Sequence, residues 1–120
     1  MKKVIFYVDI MGVQDVRPSD NKYILLSYFI GEHPSPDNVQ ILIEDFKTVQ
    51  SGEKTFEEVF EEKYGTIAVS VTAGEMECDK DTVYFISNHP ELEPSLEMPL
   101  QELIDLLVEW KAFREQRRIE

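Results

Sequence analysis

The apolar positions of this chain fall into two kinds of pattern, and each predicts an element. Lys3 to Ile10 reads KVIFYVDI, apolar and β-branched on both alternating faces, which predicts a strand buried well inside a sheet. Lys22 to Ile30, KYILLSYFI, predicts a second strand of the same kind; helix is the alternative, but the Tyr, Ile and Phe density favours strand. Between them Gly12 to Asn21 carries Gly, Pro, Ser, Asp and Asn and reads as a loop. The prolines of GEHPSP end the second run. A helix follows: Ser35 is its N-cap, Pro36 fits its first position and Asp37 its first turn. Val39, Leu42, Ile43, Phe46 and Val49 or Gln50 make one stripe, and Gly52 stands just past the end.

The second half continues the alternation. In TFEEVFEEKYG, Thr55 and Glu58 form a capping box and Phe56, Val59 and Phe60 share a face, which predicts a short helix with strand as its rival. Thr66 to Thr72 alternates, with Ile67, Val69 and Val71 on one side. Gly74 to Asp81 reads as a turn, Thr82 to Ser87 as the strand running back from it, and Asn88 to Pro99, with three prolines, as a loop. The last helix opens at Pro99; Leu100, Leu103, Ile104, Leu107, Trp110 and Phe113 line one side, and Arg114, Arg117 and Arg118 sit at its negative end. The expected fold is α+β: an antiparallel or mixed sheet of about four strands, two main helices and one short one, in the order ββααββα. At 120 residues the chain has the size of a single domain over 1–120, with no internal repeat or linker.

Charge changes the picture. Twenty-four acidic residues face 12 basic ones, a net charge of −12. Residues 1–31 are net +1, with four basic and three acidic groups, and residues 110–120 are net +2, with four and two. The middle, 32–109, holds 19 acidic and four basic groups and is net −15. Such a field repels nucleic acid and anionic lipid and attracts a basic protein or a cation. Cys78 is the only cysteine, so no intrachain disulfide forms and a reducing cytoplasmic setting is expected. The apolar run after Lys2 and Lys3 is too short for a signal sequence, and no stretch has the length of a membrane span.

Catalytic chemistry is scarce. The five glycines are isolated and suit turns and caps, not a phosphate loop. Glu75, Glu77, Asp79 and Asp81 around Cys78 push its thiol away from the thiolate that a nucleophile needs. His33 and His89 each precede a proline and lack a second ligand at zinc spacing; the acidic residues near Asp79 lack the calcium-loop pattern. Asp9, at a strand end, is the one carboxylate to weigh for acid–base work, and capping the next turn explains it better. No catalytic residue, metal or cofactor is expected, and the chain is read as a non-enzyme.

The acidic positions are the remaining signal. Glu57, Glu58, Glu61 and Glu62 lie opposite Phe56, Val59 and Phe60 with only Lys54 and Lys63 beside them. Like charges four apart cost about 0.2–0.5 kcal/mol per pair, and a merely solvated helix interleaves more lysines. With Glu75, Glu77, Asp79 and Asp81 they are the candidate contact residues for a basic protein partner.

One resemblance gives that partner a class. Leu96 to Arg114, LEMPLQELIDLLVEWKAFR, resembles the ending of small bacterial immunity proteins of polymorphic toxin systems, the contact-dependent inhibition type among them. The likeness lies in the Met-Pro helix start, the glutamate-rich amphipathic helix and Trp-Lys followed by an aromatic, after a hairpin strand such as TVYFIS. SGEKTFEEVFEEKYGTIAVSV is similar to their Ser-Gly-Glu segment leading into a strand, so the resemblance covers residues 51 to 114. It implies a small cytoplasmic protein that binds one cognate toxin domain, commonly a basic nuclease, and occludes its active site without any reaction of its own. The alternative on charge alone is an acidic nucleic-acid mimic of the phage type or a regulatory binding protein.

Overall fold

The computed structural model describes residues 2–64 and 69–116. The chain folds as α+β, with two antiparallel sheets and four α-helices among the described residues. Strands β1 (Val4–Val8) and β2 (Gln14–Pro18) form a hairpin; α1 (Ile24–Gly31), α2 (Pro36–Gln50) and α3 (Phe56–Tyr64) follow. Then β3 (Val69–Val71), β4 (Gly74–Cys78), β5 (Thr82–Ser87) and β6 (Leu96–Pro99) make a four-stranded meander, and α4 (Leu100–Glu115) closes the order. The expected order had one sheet, about four strands and three helices.

The helices with clear grammar stand where their residues place them. Ser35 accepts the Asn38 N–H, Pro36 opens α2, and Val39, Leu42, Ile43, Phe46 and Val49 are buried. Gly52 adopts φ +83° just past the helix end, the left-handed conformation that glycine takes at least cost. The capping box of α3 is complete: the Thr55 N–H donates to the Glu58 carboxylate at 2.8 Å, and the Glu58 N–H to the Thr55 hydroxyl at 3.1 Å. The α4 stripe Leu100, Leu103, Ile104, Leu107 and Trp110 is buried, and Phe113 packs against that core.

Three expectations fail in the N-terminal part, each for a physical reason. Lys22 to Ile30 is not a strand: it is a short 3-10 turn, Asn21–Tyr23, running into α1. Asp20 accepts the Lys22 N–H at 3.1 Å and starts the turn. Leu25, Leu26, Ser27, Phe29 and Ile30 are all buried, so the run is apolar on nearly every side and carries no helical period to detect. Lys3 to Ile10 does contain a strand, but in a two-stranded sheet, with Ile5 and Val8 exposed and no burial on both faces. The segment read as a loop holds β2, with Gln14 and Val16 turned inward. Pro18 is accommodated because it ends an edge strand.

The meander differs too. Gly74 to Asp81 is a turn only over Asp79 to Asp81; Gly74–Cys78 is the strand β4, with Gly74, Met76 and Cys78 buried and Glu75 and Glu77 exposed. β5 therefore pairs with β4, not with the 66–72 segment, of which Val69–Val71 forms β3 and residues 66–68 lie outside the described residues. Leu96–Pro99, read as loop, is β6 and pairs with β5, Tyr84 opposite Glu97. Inward residues Val71, Met76, Val83, Phe85 and Met98 meet the helices in one core around Phe29, Phe46 and Trp110.

Gly74 sits where only glycine fits. A Cβ there would lie 2.1 Å from the Ile86 carbonyl oxygen across the β4–β5 ladder. Gly74→Ala must push two paired strands apart and is expected to destabilise by about 1–3 kcal/mol in urea unfolding. A midpoint equal to that of the parent refutes this packing.

Candidate functional site

The expected site residues occupy two surfaces that meet at one edge. On α3, Glu57, Glu58, Glu61 and Glu62 are exposed while Phe56, Val59 and Phe60 are buried, Phe60 against Phe46 at 5.6 Å between ring centres. Of the four glutamates, only Glu62 is ion-paired among the described residues, to Lys54 at 3.1 Å. Glu58 spends one oxygen on the capping box. The cation at the other end of the helix, Lys63, is drawn inward to the buried Asp45 at 2.6 Å and leaves the glutamates.

The second surface is the outer face of the four-stranded sheet. Strand pairing puts Glu77, Tyr84 and Glu97 in one row across β4, β5 and β6, and Ser70, Glu75 and Ile86 in the next. Glu75, Glu77, Glu97 and Ile86 are exposed, Ile86 at 43%. No lysine or arginine among the described residues pairs with these three carboxylates. Tyr84 is thus flanked by carboxylates on both sides, and Glu97 shares this face, which the loop reading of residues 88–99 hid. The alternation in GEMEC and LEMP is the signal for it.

Asp79 and Asp81 lie in the tight turn at the end of this sheet. Asp79 Oδ1 accepts the N–H groups of Asp81 and Thr82, each at 2.8 Å, and Oδ2 accepts the Tyr84 hydroxyl at 3.2 Å. The two backbone donors first, then the phenol, hold the Asp79 carboxyl below its ordinary value. The same bond to Asp79 pushes the Tyr84 phenol up. Asp79 is thus a fixed, ionised group with a structural duty, while Asp81 takes part through its backbone: its C=O accepts the Leu100 N–H at 2.9 Å and ties the turn to the start of α4.

Where the surfaces meet, a depression of about 280 Å³ is lined by Val49, Phe56 and Cys78, with Lys54, Glu57, Asp79 and Lys80 at its rim. Two cations and two carboxylates balance there, so the negative surfaces are separated by a mixed edge. Cys78 itself is buried. Burial first, and then Asp79, Glu57 and Glu77, push its thiol up to about 12. The thiol is therefore neutral and is no nucleophile. Unfolding restores its ordinary value of 9.0, so the unfolded chain releases the proton first and stability falls as pH climbs from 9.0 toward about 12. Thiolate-directed reagents are expected to leave native Cys78 unmodified at neutral pH and to label it in denaturant. Fast labelling of the native protein contradicts this.

Two of the other chemical candidates, Asp9 and His33, have structural roles. Asp9 Oδ1 accepts the Met11 and Val13 N–H groups at 2.8 and 2.9 Å and closes the hairpin turn. His33 Nδ1 lies 2.8 Å from the Phe29 carbonyl oxygen, at the end of α1, and its ring rests on Phe29 at 4.8 Å. His89 is exposed. Among the described residues no group of three His, Cys, Asp or Glu side chains is placed to hold a metal ion, and no helix is long and apolar enough to cross a membrane. No protein-family model, curated protein or solved structure matches the chain.

Proposed function

We propose that this chain is a binding inhibitor of the immunity type, which neutralises a basic toxin domain, most simply a nuclease, by covering its active site. The observation that supports it is the outer sheet face: Tyr84 and Ile86 sit among Glu75, Glu77 and Glu97, and among the described residues no cation pairs with these carboxylates. Protein interfaces favour an aromatic centre with a polar rim, and tyrosine is enriched among the residues that carry binding energy. A nuclease cleft must attract phosphate and is therefore positive, so carboxylates on a rigid sheet complement it. The glutamates of α3 lie on an adjoining surface and add long-range attraction. An inhibitor of this kind needs no reaction of its own.

The experiment is inhibition at stoichiometric ratio. A nuclease domain encoded beside this chain is expected to lose cleavage when one equivalent is added, while the chain alone shifts neither DNA nor RNA in a low-salt gel. Undiminished cleavage across the titration, or nucleic-acid binding by the chain itself, refutes the reading. Inhibition of unrelated DNA-binding enzymes with equal strength favours the nucleic-acid mimic instead.

A further inference from the structure

The hairpin of β1 and β2 has a feature that the acidic surfaces do not use. Its turn is tightly specified: the Asp9 N–H donates to the Val13 C=O at 2.8 Å, the Gly12 N–H to the Asp9 C=O at 2.9 Å, and Gly12 takes φ +81°. This is the three-residue loop with a left-handed glycine that hairpins favour. Yet the side chains on this fixed frame are apolar and in water: Val8 is 57% exposed, Ile10 98%, Met11 82% and Val13 52%.

The backbone adds a second observation. The Ser19 N–H donates to the Lys3 C=O and the Asp9 N–H to the Val13 C=O, so Lys3, Ile5, Tyr7 and Asp9 are the residues whose peptide groups face β2. Those of Phe6 and Val8 face the other way. No strand lies on that side, and no backbone hydrogen bond to Phe6 or Val8 from there is present among the described residues. β2 does not share this openness, because Pro18 lacks an N–H and α1 packs against it, Val16 being in reach of Gly31. The distal half of β1 is thus an open, apolar edge of the kind that soluble proteins normally blunt with charge or cover.

We infer that this edge pairs with the same edge of a second copy of the chain, antiparallel, Phe6 and Val8 of one copy bonding to Val8 and Phe6 of the other. Charge selects that occupant. A basic partner is drawn to the segment 32–109, net −15, whereas residues 1–31 are net +1. On a chain of net charge −12, this segment carries little like charge to keep two copies apart. The pairing is isologous, as a twofold contact requires: the same groups donate and accept on both copies. It also joins two two-stranded ribbons, each marginal alone, into one four-stranded sheet, with the Tyr7 residues facing each other at the twofold axis and the two Val8 side chains on either side of it.

The test is mass as a function of concentration, by sedimentation equilibrium on the full chain. The mass is expected to rise from the 14.0 kDa of one chain to twice that value within the micromolar range. Val8→Pro removes the N–H that points away from β2 and leaves the β1–β2 ladder intact, so it is expected to stay monomeric with the parent's circular dichroism. Should that variant not fold, Val8→Lys, which keeps the N–H but sets two like charges beside the twofold axis, is expected to weaken association at least tenfold with unchanged melting. A parent chain that stays monomeric into the millimolar range overturns the inference. So does a dimer that survives both variants, or a monomer whose β1 edge takes up only a foreign strand.

Discussion

Trp110→Ala is expected to cost about 3–5 kcal/mol, the usual range for removing a buried aromatic, and that is a large part of what a domain of this size has. Trp110 is 1% exposed, and its ring meets Phe6 at 5.2 Å and Phe113 at 6.0 Å between centres. The side chain therefore joins α4 to the hairpin as well as to the core. Its Nε1–H donates to the His33 C=O at 2.9 Å, in the bend between α1 and α2. Alanine opens a cavity and leaves that carbonyl without its donor, two losses at one position. The melting temperature is expected to fall by roughly 10 °C or more. Trp110→Phe keeps most of the packing and loses the hydrogen bond, so it is expected to lie between the two. If the alanine variant melts within a few degrees of the parent, α4 does not hold the hairpin as described.

The elements legible from the residues are those whose signal is local. Ser35 and Pro36 announce α2, Thr55 and Glu58 announce α3, and Pro99 with the stripe to Trp110 announces α4; each is a cap or a period contained within a few turns. The misses come from context. α1 is buried on almost every side, so its residues resemble a central strand, and only packing decides between them. β2, β4 and β6 are short strands whose outward positions are Asp, Arg and Glu, and whose composition alone suggests turns. Their inward positions, Val16, Met76 and Met98, carry the period of two, but over four or five residues that period is easily overruled by proline and acidic neighbours. The candidate site followed the same rule. That Glu57, Glu58, Glu61 and Glu62 point outward was readable from one helix. That Glu75, Glu77 and Glu97 share a sheet face with Tyr84 depends on strand register, a long-range property that no window of sequence contains.

These two surfaces are expected to respond differently when their charge is removed. Changing Glu57, Glu58, Glu61 and Glu62 to glutamine leaves the buried face of α3 untouched, and loss of the repulsion between Glu57 and Glu61 offsets any change at the capping box. Folding stability is therefore expected to stay close to that of the parent. Association with the proposed basic partner is expected to slow by about tenfold or more at low salt, and its salt dependence to flatten, because rim charges act mainly through steering. Glu75, Glu77 and Glu97 flank Tyr84 and Ile86, where the proposed partner would exclude water. A carboxylate paired with a desolvated lysine or arginine costs about 2–5 kcal/mol when truncated, and the loss falls on dissociation. Glu77→Ala and Glu97→Ala are thus expected to speed dissociation at all salt concentrations, with a modest change in association rate. Stopped-flow association and dissociation at several ionic strengths separate the two behaviours. Equal, purely salt-dependent effects from both sets would make the whole acidic surface a steering field and move the contact centre away from Tyr84. No effect from either would leave the carboxylates as solvated surface and remove the support for a basic partner.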